Sequence, residues 1–229
     1  MRNVRRQNPI SWLAIIFIAT AIATAIASPE PAVAQAETNP NLNAQLLVAA
    51  RQNDLSQLER VLASGASPAS RNRLGKTALV IAAEKGNLAI VEAMLKAGAD
   101  VDHASLEGVT PLMAASYTGS GPVVRRLLAA GAKTDPVDRM NKPAMVYAAG
   151  QGKAAAIEAL LDGGVAVDAA YEHRLTALMW AAGQGHVDAV KVLMKHGAHA
   201  DLRDDRGLTA AEIARQAGQA AAAVAVAAP

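Results

Sequence analysis

The chain repeats itself every 33 residues, and this period constrains its fold more than any other feature of the sequence. Closely similar segments begin at five evenly spaced positions: Thr77, Thr110, Pro143, Thr176 and Thr209. Two glycine series keep the same period: Gly86, Gly119, Gly152, Gly185 and Gly218, and Gly65, Gly98, Gly131, Gly164 and Gly197. A repeat of this length is typical of a solenoid, in which each unit packs mainly against its neighbours. The functional question is therefore which partner the chain binds rather than which reaction it catalyses.

Within each unit the pattern predicts a turn followed by two α-helices. A glycine such as Gly75 closes the turn with positive φ, and a threonine such as Thr77 then caps the first helix. The second helix has aliphatic residues at the spacing i, i+3, i+4, as in Ile157, Leu160 and Leu161, and it ends at a glycine. One unit cannot bury enough apolar surface to fold alone, so the units are expected to stack.

This unit resembles the ankyrin repeat, whose signature is a turn, the motif T-P-L-H-x-A-A, and a helix that ends in G-A-D. The clearest matches are Thr110-Pro-Leu-Met-Ala-Ala and Gly98-Ala-Asp, and the resemblance covers residues 44 to about 218. It implies an all-α ankyrin-repeat solenoid of stacked helix-turn-helix units joined by β-hairpin-like turns. It also implies that a concave face and the turn tips bind other proteins.

The sequence departs from the family pattern in three ways, and each departure predicts a structural difference. The family histidine is replaced by apolar residues at Val80, Met113, Val146 and Met179, so apolar contacts should replace its hydrogen bonds. Pro143 removes the cap of one first helix, at a cost of about 1 kcal/mol. Arg174 stands where the turn favours glycine, and we predict that it adopts the left-handed conformation.

The register divides the chain into segments with these predicted bounds: 1–36, signal peptide; 37–43, linker; 44–70, N-terminal cap; about 71–103, 104–136, 137–169 and 170–202, repeats; 203–218, C-terminal cap; 219–229, an Ala-rich tail. The caps and repeats together span residues 44–218. The tail is either a degenerate last helix or a frayed end.

Residues 1–36 are typical of an export signal. Three arginines lie within the first six residues, and an uncharged, largely apolar run follows over residues 12–27. Cleavage is expected after Ala27, Ala34 or Ala36, which predicts a periplasmic or secreted protein. The alternative is an uncleaved inner-membrane anchor with the repeats facing the periplasm. Mass spectrometry of the mature N-terminus distinguishes the two.

Charge and motif content argue against nucleic-acid binding and catalysis. The 22 basic and 20 acidic residues become equal in number once residues 1–36, with three arginines and one glutamate, are set aside. The chain has no cysteine, and His196 and His199 have no third ligand beside them in the sequence. No nucleophile or phosphate-binding motif occurs. We therefore expect no enzyme activity, no cofactor, no metal and no nucleic acid.

Beyond the export signal the chain has four aromatic residues, and all map to turn tips or to the exposed face of the first helices: Tyr117, Tyr147, Tyr171 and Trp180. Aromatic side chains are favoured at protein interfaces. The predicted partner-binding residues are Arg73, Lys76, Leu106, Tyr117, Met140, Tyr147, Tyr171, His173, Leu175 and Trp180. An alternative is that Tyr147 and Trp180 only fill the gap between adjacent first helices.

These observations predict a non-catalytic, monomeric scaffold that binds a partner protein through its concave face and turn tips. The alternative function is an inner-membrane-anchored structural or assembly factor that organises envelope proteins.

Overall fold

In the computed structural model, which describes residues 40–227, the chain forms six pairs of α-helices. The first helices of the pairs are α1 (Pro40–Gln52), α3 (Ala78–Lys85), α5 (Pro111–Thr118), α7 (Ala144–Gly150), α9 (Ala177–Gly183) and α11 (Ala210–Gln216). The second helices are α2 (Leu55–Ala63), α4 (Leu88–Lys96), α6 (Gly121–Ala129), α8 (Ala154–Asp162), α10 (Val187–Lys195) and α12 (Ala220–Ala227). The described residues thus confirm the predicted all-α solenoid.

The helices stack in two layers. Each first helix packs against the first helices of the neighbouring pairs, and the second helices pack against one another in the same order. Between the layers runs a continuous apolar core, to which alanines such as Ala148 and Ala149 contribute on the first helices. Leucine and isoleucine side chains such as Ile157 and Leu160 contribute on the second helices. Small residues on one layer let the helices of a pair approach closely.

Threonine caps fix the start of the first helices. The Oγ1 atoms of Thr77, Thr110 and Thr176 each accept a hydrogen bond, at 3.3 Å, from the amide three residues later. Pro143 provides no side-chain hydrogen bond at the start of α7, as its sequence predicts. The residue in place of the family histidine is buried in each unit, as at Met113.

The N-terminal end of the stack contains more helix than predicted, and the C-terminal tail forms a last helix, which is one of its two predicted alternatives. The predicted linker 37–43 is wrong for its last four residues, because α1 begins at Pro40. Proline is tolerated at the first helical position, and Leu42 and Leu46 share one face that packs on the core. Residues 37–39 and the predicted export signal 1–36 lie outside the described residues. At the other end, the tail forms the helix α12, whose Val226 is buried against the stack.

None of the helices in residues 40–227 is long and apolar enough to cross a membrane.

Acidic and amide side chains shape most of the turn tips. The Oδ1 atoms of Asn72, Asp138 and Asp204 accept hydrogen bonds from the main-chain amides two and four residues further on. Tyr171 occupies this position in the fifth unit and has no such acceptor. Its tip is instead a tight turn over Glu172–Arg174, closed by hydrogen bonds from Arg174 N to Tyr171 O and from Leu175 N to Glu172 O.

This turn confirms the left-handed conformation predicted for Arg174, whose φ is 57°, and the preceding His173 is also left-handed with φ 58°. We expect Arg174→Gly to raise the melting temperature by about 2–8 °C, because a left-handed non-glycine residue costs roughly 1–2 kcal/mol and each 1 kcal/mol shifts the melting temperature by about 2–4 °C in a chain of this size. Thermal unfolding followed by circular dichroism measures the change. Gly207→Ala is the reciprocal control, since Gly207 holds the same register position with φ 78° and open space around it. A melting temperature for Arg174→Gly at or below that of the wild type contradicts the prediction.

Candidate protein-binding surface

A groove crosses the first-helix layer between α5 and α9. It has a volume of about 300 Å³. We call it the central groove and define it by the residues that line it: Tyr117, Met140, Lys142, Val146, Tyr147, Gly150, Gln151, Trp180 and Gln184. Four of these belong to the predicted partner-binding set, so the fold brings together side chains that the sequence places in three separate units.

The groove is open because a glycine replaces a large side chain. Glu84 in α3 and Tyr117 in α5 hold the register position that Gly150 holds in α7. A Cβ atom added at Gly150 would lie 3.9 Å from Cε3 of Trp180, which is ordinary van der Waals contact. The missing side chain therefore leaves space beside the indole without any main-chain strain.

Two tyrosines form one wall of the groove. The rings of Tyr117 and Tyr147 meet edge to face with their centroids 6.0 Å apart, a favoured aromatic geometry. The Tyr147 hydroxyl donates a hydrogen bond to Oδ2 of the buried Asp138 at 2.5 Å. Burial raises the pKa of Tyr147 well above its usual value, and Asp138 raises it further. Tyr147 is thus fixed and neutral, whereas Tyr117 is half exposed.

Trp180 forms the opposite wall and is partly buried. Its indole packs on the core, while its Nε1 atom is shielded from solvent and has no hydrogen-bond partner in the described residues. The ammonium of Lys142 lies 5.6 Å from the centroid of the indole ring, within the range of a cation–π contact. Trp180 therefore has a packing role and also faces the groove.

A second hollow of about 120 Å³ adjoins the central groove at Lys142, Val146 and Trp180. Tyr171, His173 and Leu175 contribute to its lining from the next turn tip. Burial raises the pKa of Tyr171 to about 12, so this phenol is also neutral.

The tips on either side of the second hollow are not joined by main-chain hydrogen bonds within residues 40–227. Elsewhere the tips are linked at a regular spacing, by Leu106 N to Leu74 O at 3.0 Å, Arg139 N to Glu107 O at 3.1 Å and Asp205 N to His173 O at 3.1 Å. The same register would join Glu172 N to Met140 O, and that bond is missing. The second hollow lies where this hydrogen bond between turn tips is missing.

Three predicted binding residues lie outside the groove and the hollow. Leu106 and Arg73 are exposed on earlier turn tips. Lys76 forms an ion pair with Glu84 at 2.5 Å. Their role in partner binding stays a prediction.

Five residues that line the groove were absent from the predicted set: Lys142, Val146, Gly150, Gln151 and Gln184. Lys142 could have been found from its position at the turn tip, and Gly150 from its alignment with Tyr117. Val146 is buried, as are the residues at its register position in the other repeats, so the sequence gives no sign that it also lines a groove.

Comparisons with known proteins agree with this architecture. The family model described as "Ankyrin repeats" matches three times, at residues 46–139, 122–204 and 145–225. Many solved structures are similar, among them the crystal structure of EF0377, an ankyrin repeat protein. That structure has 27% sequence identity and a TM-score of 0.70, with 80% of this chain and 96% of that chain covered. The search of curated proteins gave no match.

Proposed function

The chain belongs to the ankyrin repeat family, whose repeats are protein–protein interaction modules, and on that premise we propose that it binds a partner protein in the central groove. One observation carries the proposal. Tyr117, Met140, Tyr147 and Trp180 come from three units and line one groove, in which Tyr117 is 50% and Met140 60% exposed. Clustered aromatic and methionine side chains at a concave surface are characteristic of binding hot spots.

The fixed geometry of the groove supports tight association. Tyr147 is held by Asp138 and by the ring of Tyr117, and Trp180 is held by the core. Side chains that are already ordered lose little conformational entropy when a partner docks. A stacked scaffold of this kind presents the groove in its binding conformation before the partner arrives.

The lining of the groove supports binding rather than catalysis. Lys142 is its single charged side chain, and the two tyrosines are the other titratable groups that line it. General acid–base chemistry uses a positioned group with a pKa near the working pH, and phenols ordinarily titrate far above that range. We therefore infer a non-catalytic scaffold that acts as a monomer.

We also infer that the protein works in the periplasm or outside the cell. The support is the sequence of residues 1–36, with its basic start, apolar run and small-residue cleavage sites. If that segment is retained instead, the same groove would serve a scaffold anchored in the inner membrane.

Affinity capture from cells that make the protein tests the proposal. We expect the double variant Tyr117→Ala/Met140→Ala to lose most of the captured partner, because both side chains are exposed in the groove and contribute little to the core. Val224→Ala is the matched control, since Val224 is an exposed apolar residue on α12 that does not line the groove. Equal capture by the double variant and the control would refute the proposal.

A further inference from the structure

Lys142 lacks the carboxylate partner that the equivalent lysine of another unit has. Lys76, two units earlier, holds the same register position and pairs with Glu84 on the first helix of its own unit. The position equivalent to Glu84 beside Lys142 is Gly150. Within the described residues no carboxylate lies within ion-pair distance of the Lys142 ammonium.

The space left by the missing carboxylate is the central groove itself. Gly150 and Lys142 both line it, and so does Trp180, whose ring lies under the Lys142 ammonium. Asp138 is the acidic side chain nearest in sequence, but its two oxygens already accept hydrogen bonds from Met140 N, Lys142 N and the Tyr147 hydroxyl. The groove therefore contains a positive charge that forms no ion pair with a described carboxylate, although Glu172 and Lys142 both line the adjoining hollow.

Two further donors beside Lys142 have no acceptor within the described part of the chain. The Nε1 atom of Trp180 is buried and has no hydrogen-bond partner there. The main-chain amide of Glu172 lacks the hydrogen bond to Met140 O that would continue the regular series of hydrogen bonds between neighbouring turn tips. Glu172 is exposed on its turn tip, so its amide is open to an acceptor from a partner chain. Open main-chain groups at an edge also suit an extended segment of a partner chain.

We propose that the partner inserts an Asp or Glu side chain of an extended segment into the central groove. Its carboxylate pairs with Lys142 there, in the position that Glu84 occupies next to Lys76. Apolar side chains next to that carboxylate pack between Tyr117, Met140 and Trp180. This inference rests on the proposed function and specifies the chemistry of the partner. It follows from charge complementarity, because the cation and the space for its counter-ion lie in the same groove.

Peptides selected from a random phage-displayed library against the full-length chain supply the probe. We expect the selected peptides to share an acidic residue flanked by apolar residues. A synthetic peptide with that motif should bind at least about tenfold more tightly than its twin with Gln in place of Glu, or Asn in place of Asp. In Lys142→Met this preference should vanish, whereas Lys133→Met, at an exposed lysine on a loop away from the groove, should keep it.

A substitution at Gly150 tests the site from within the chain. Gly150→Glu should place a carboxylate next to Lys142, as Glu84 does next to Lys76, and so compete with the peptide. Gly150→Gln has the same size without the charge. Because Gly150 is helical and an added Cβ meets only ordinary contact, both variants are expected to fold. We expect Gly150→Glu to bind the acidic peptide at least about tenfold more weakly than Gly150→Gln.

Three results would overturn the inference: equal binding of the acidic peptide and its amide twin, equal binding by Gly150→Glu and Gly150→Gln, or selection of no peptide at all. A different result tests the proposed function. If peptides bind without regard to charge and Tyr117→Ala/Met140→Ala abolishes their binding, the groove still binds protein but does not select a carboxylate. If the double variant binds the peptides normally, the proposed function is also wrong.

Discussion

Trp180→Ala is expected to weaken the affinity for the captured partner by at least about thirtyfold. Large aromatic side chains at the centre of an interface lose about 2 kcal/mol or more of binding free energy when truncated to alanine, and tenfold in affinity corresponds to about 1.4 kcal/mol. Trp180 lies at the centre of the proposed interface, because it lines both the central groove and the adjoining hollow. Isothermal titration calorimetry with the purified partner measures the loss.

The control for this variant must separate binding from folding, since Trp180 also packs against the core. Trp180→Phe keeps a ring on the core but removes the Nε1 donor, and we expect an affinity between those of the wild type and Trp180→Ala. Circular dichroism and the melting temperature show whether each variant is folded. If folded Trp180→Ala binds within about threefold of the wild type, the indole has only a packing role.

Leu160→Ala is expected to lower the free energy of unfolding by about 2–5 kcal/mol. Leu160 is 0% exposed and lies on α8, in the layer of second helices. Replacing a buried leucine with alanine removes apolar contact and leaves a cavity that a packed core closes only in part. Urea unfolding followed by circular dichroism gives the difference.

Leu74→Ala is the matched comparison, because Leu74 is an exposed leucine on a turn tip. Its expected change is within about 0.5 kcal/mol. In a solenoid the loss at Leu160 acts on one unit and its neighbours, so the two halves of the stack are also expected to unfold less cooperatively. A change of less than about 1 kcal/mol for Leu160→Ala would show that the core around α8 is loosely packed.

The repeat could be predicted from the sequence because the helix caps and turns that define it depend only on residues close together in the chain. Thr77 and its counterparts cap helices through hydrogen bonds that span three residues, and Gly75 closes a turn through its own φ. Arg174 follows the same logic, since its conformation is set by its register position. Local rules of this kind repeat with the period, and five copies make each one visible.

The groove could be predicted only in part because it depends on contacts that the repeat pattern does not specify. The sequence predicted that Tyr117, Tyr147 and Trp180 face the same side, but not that Gly150 opens a space between them. The hydrogen bond from Tyr147 to Asp138 joins a helix to the tip before it, and no spacing rule indicates that pairing. The second left-handed residue, His173, is similar: it follows from the missing side-chain acceptor at Tyr171.

The start of α1 was missed for a different reason. The segment around Pro40 is polar, which favours a linker by composition, but proline is compatible with the first helical turn. Packing of Leu42 and Leu46 on the first unit extends the helix to that proline. Tertiary contacts therefore determine where α1 begins, whereas composition alone assigns these residues to a linker.

Site-specific photo-crosslinking tests the central claim most directly. A benzoylphenylalanine placed at Met140 or Tyr117 puts the crosslinker in the central groove, and one placed at Lys191 puts it on the exposed face of α10, in the other layer. We predict that positions 140 and 117 give one discrete adduct with the same partner protein in living cells and that position 191 gives none. Adducts from position 191 together with none from positions 140 and 117 would show that the chain binds its partner through a different face.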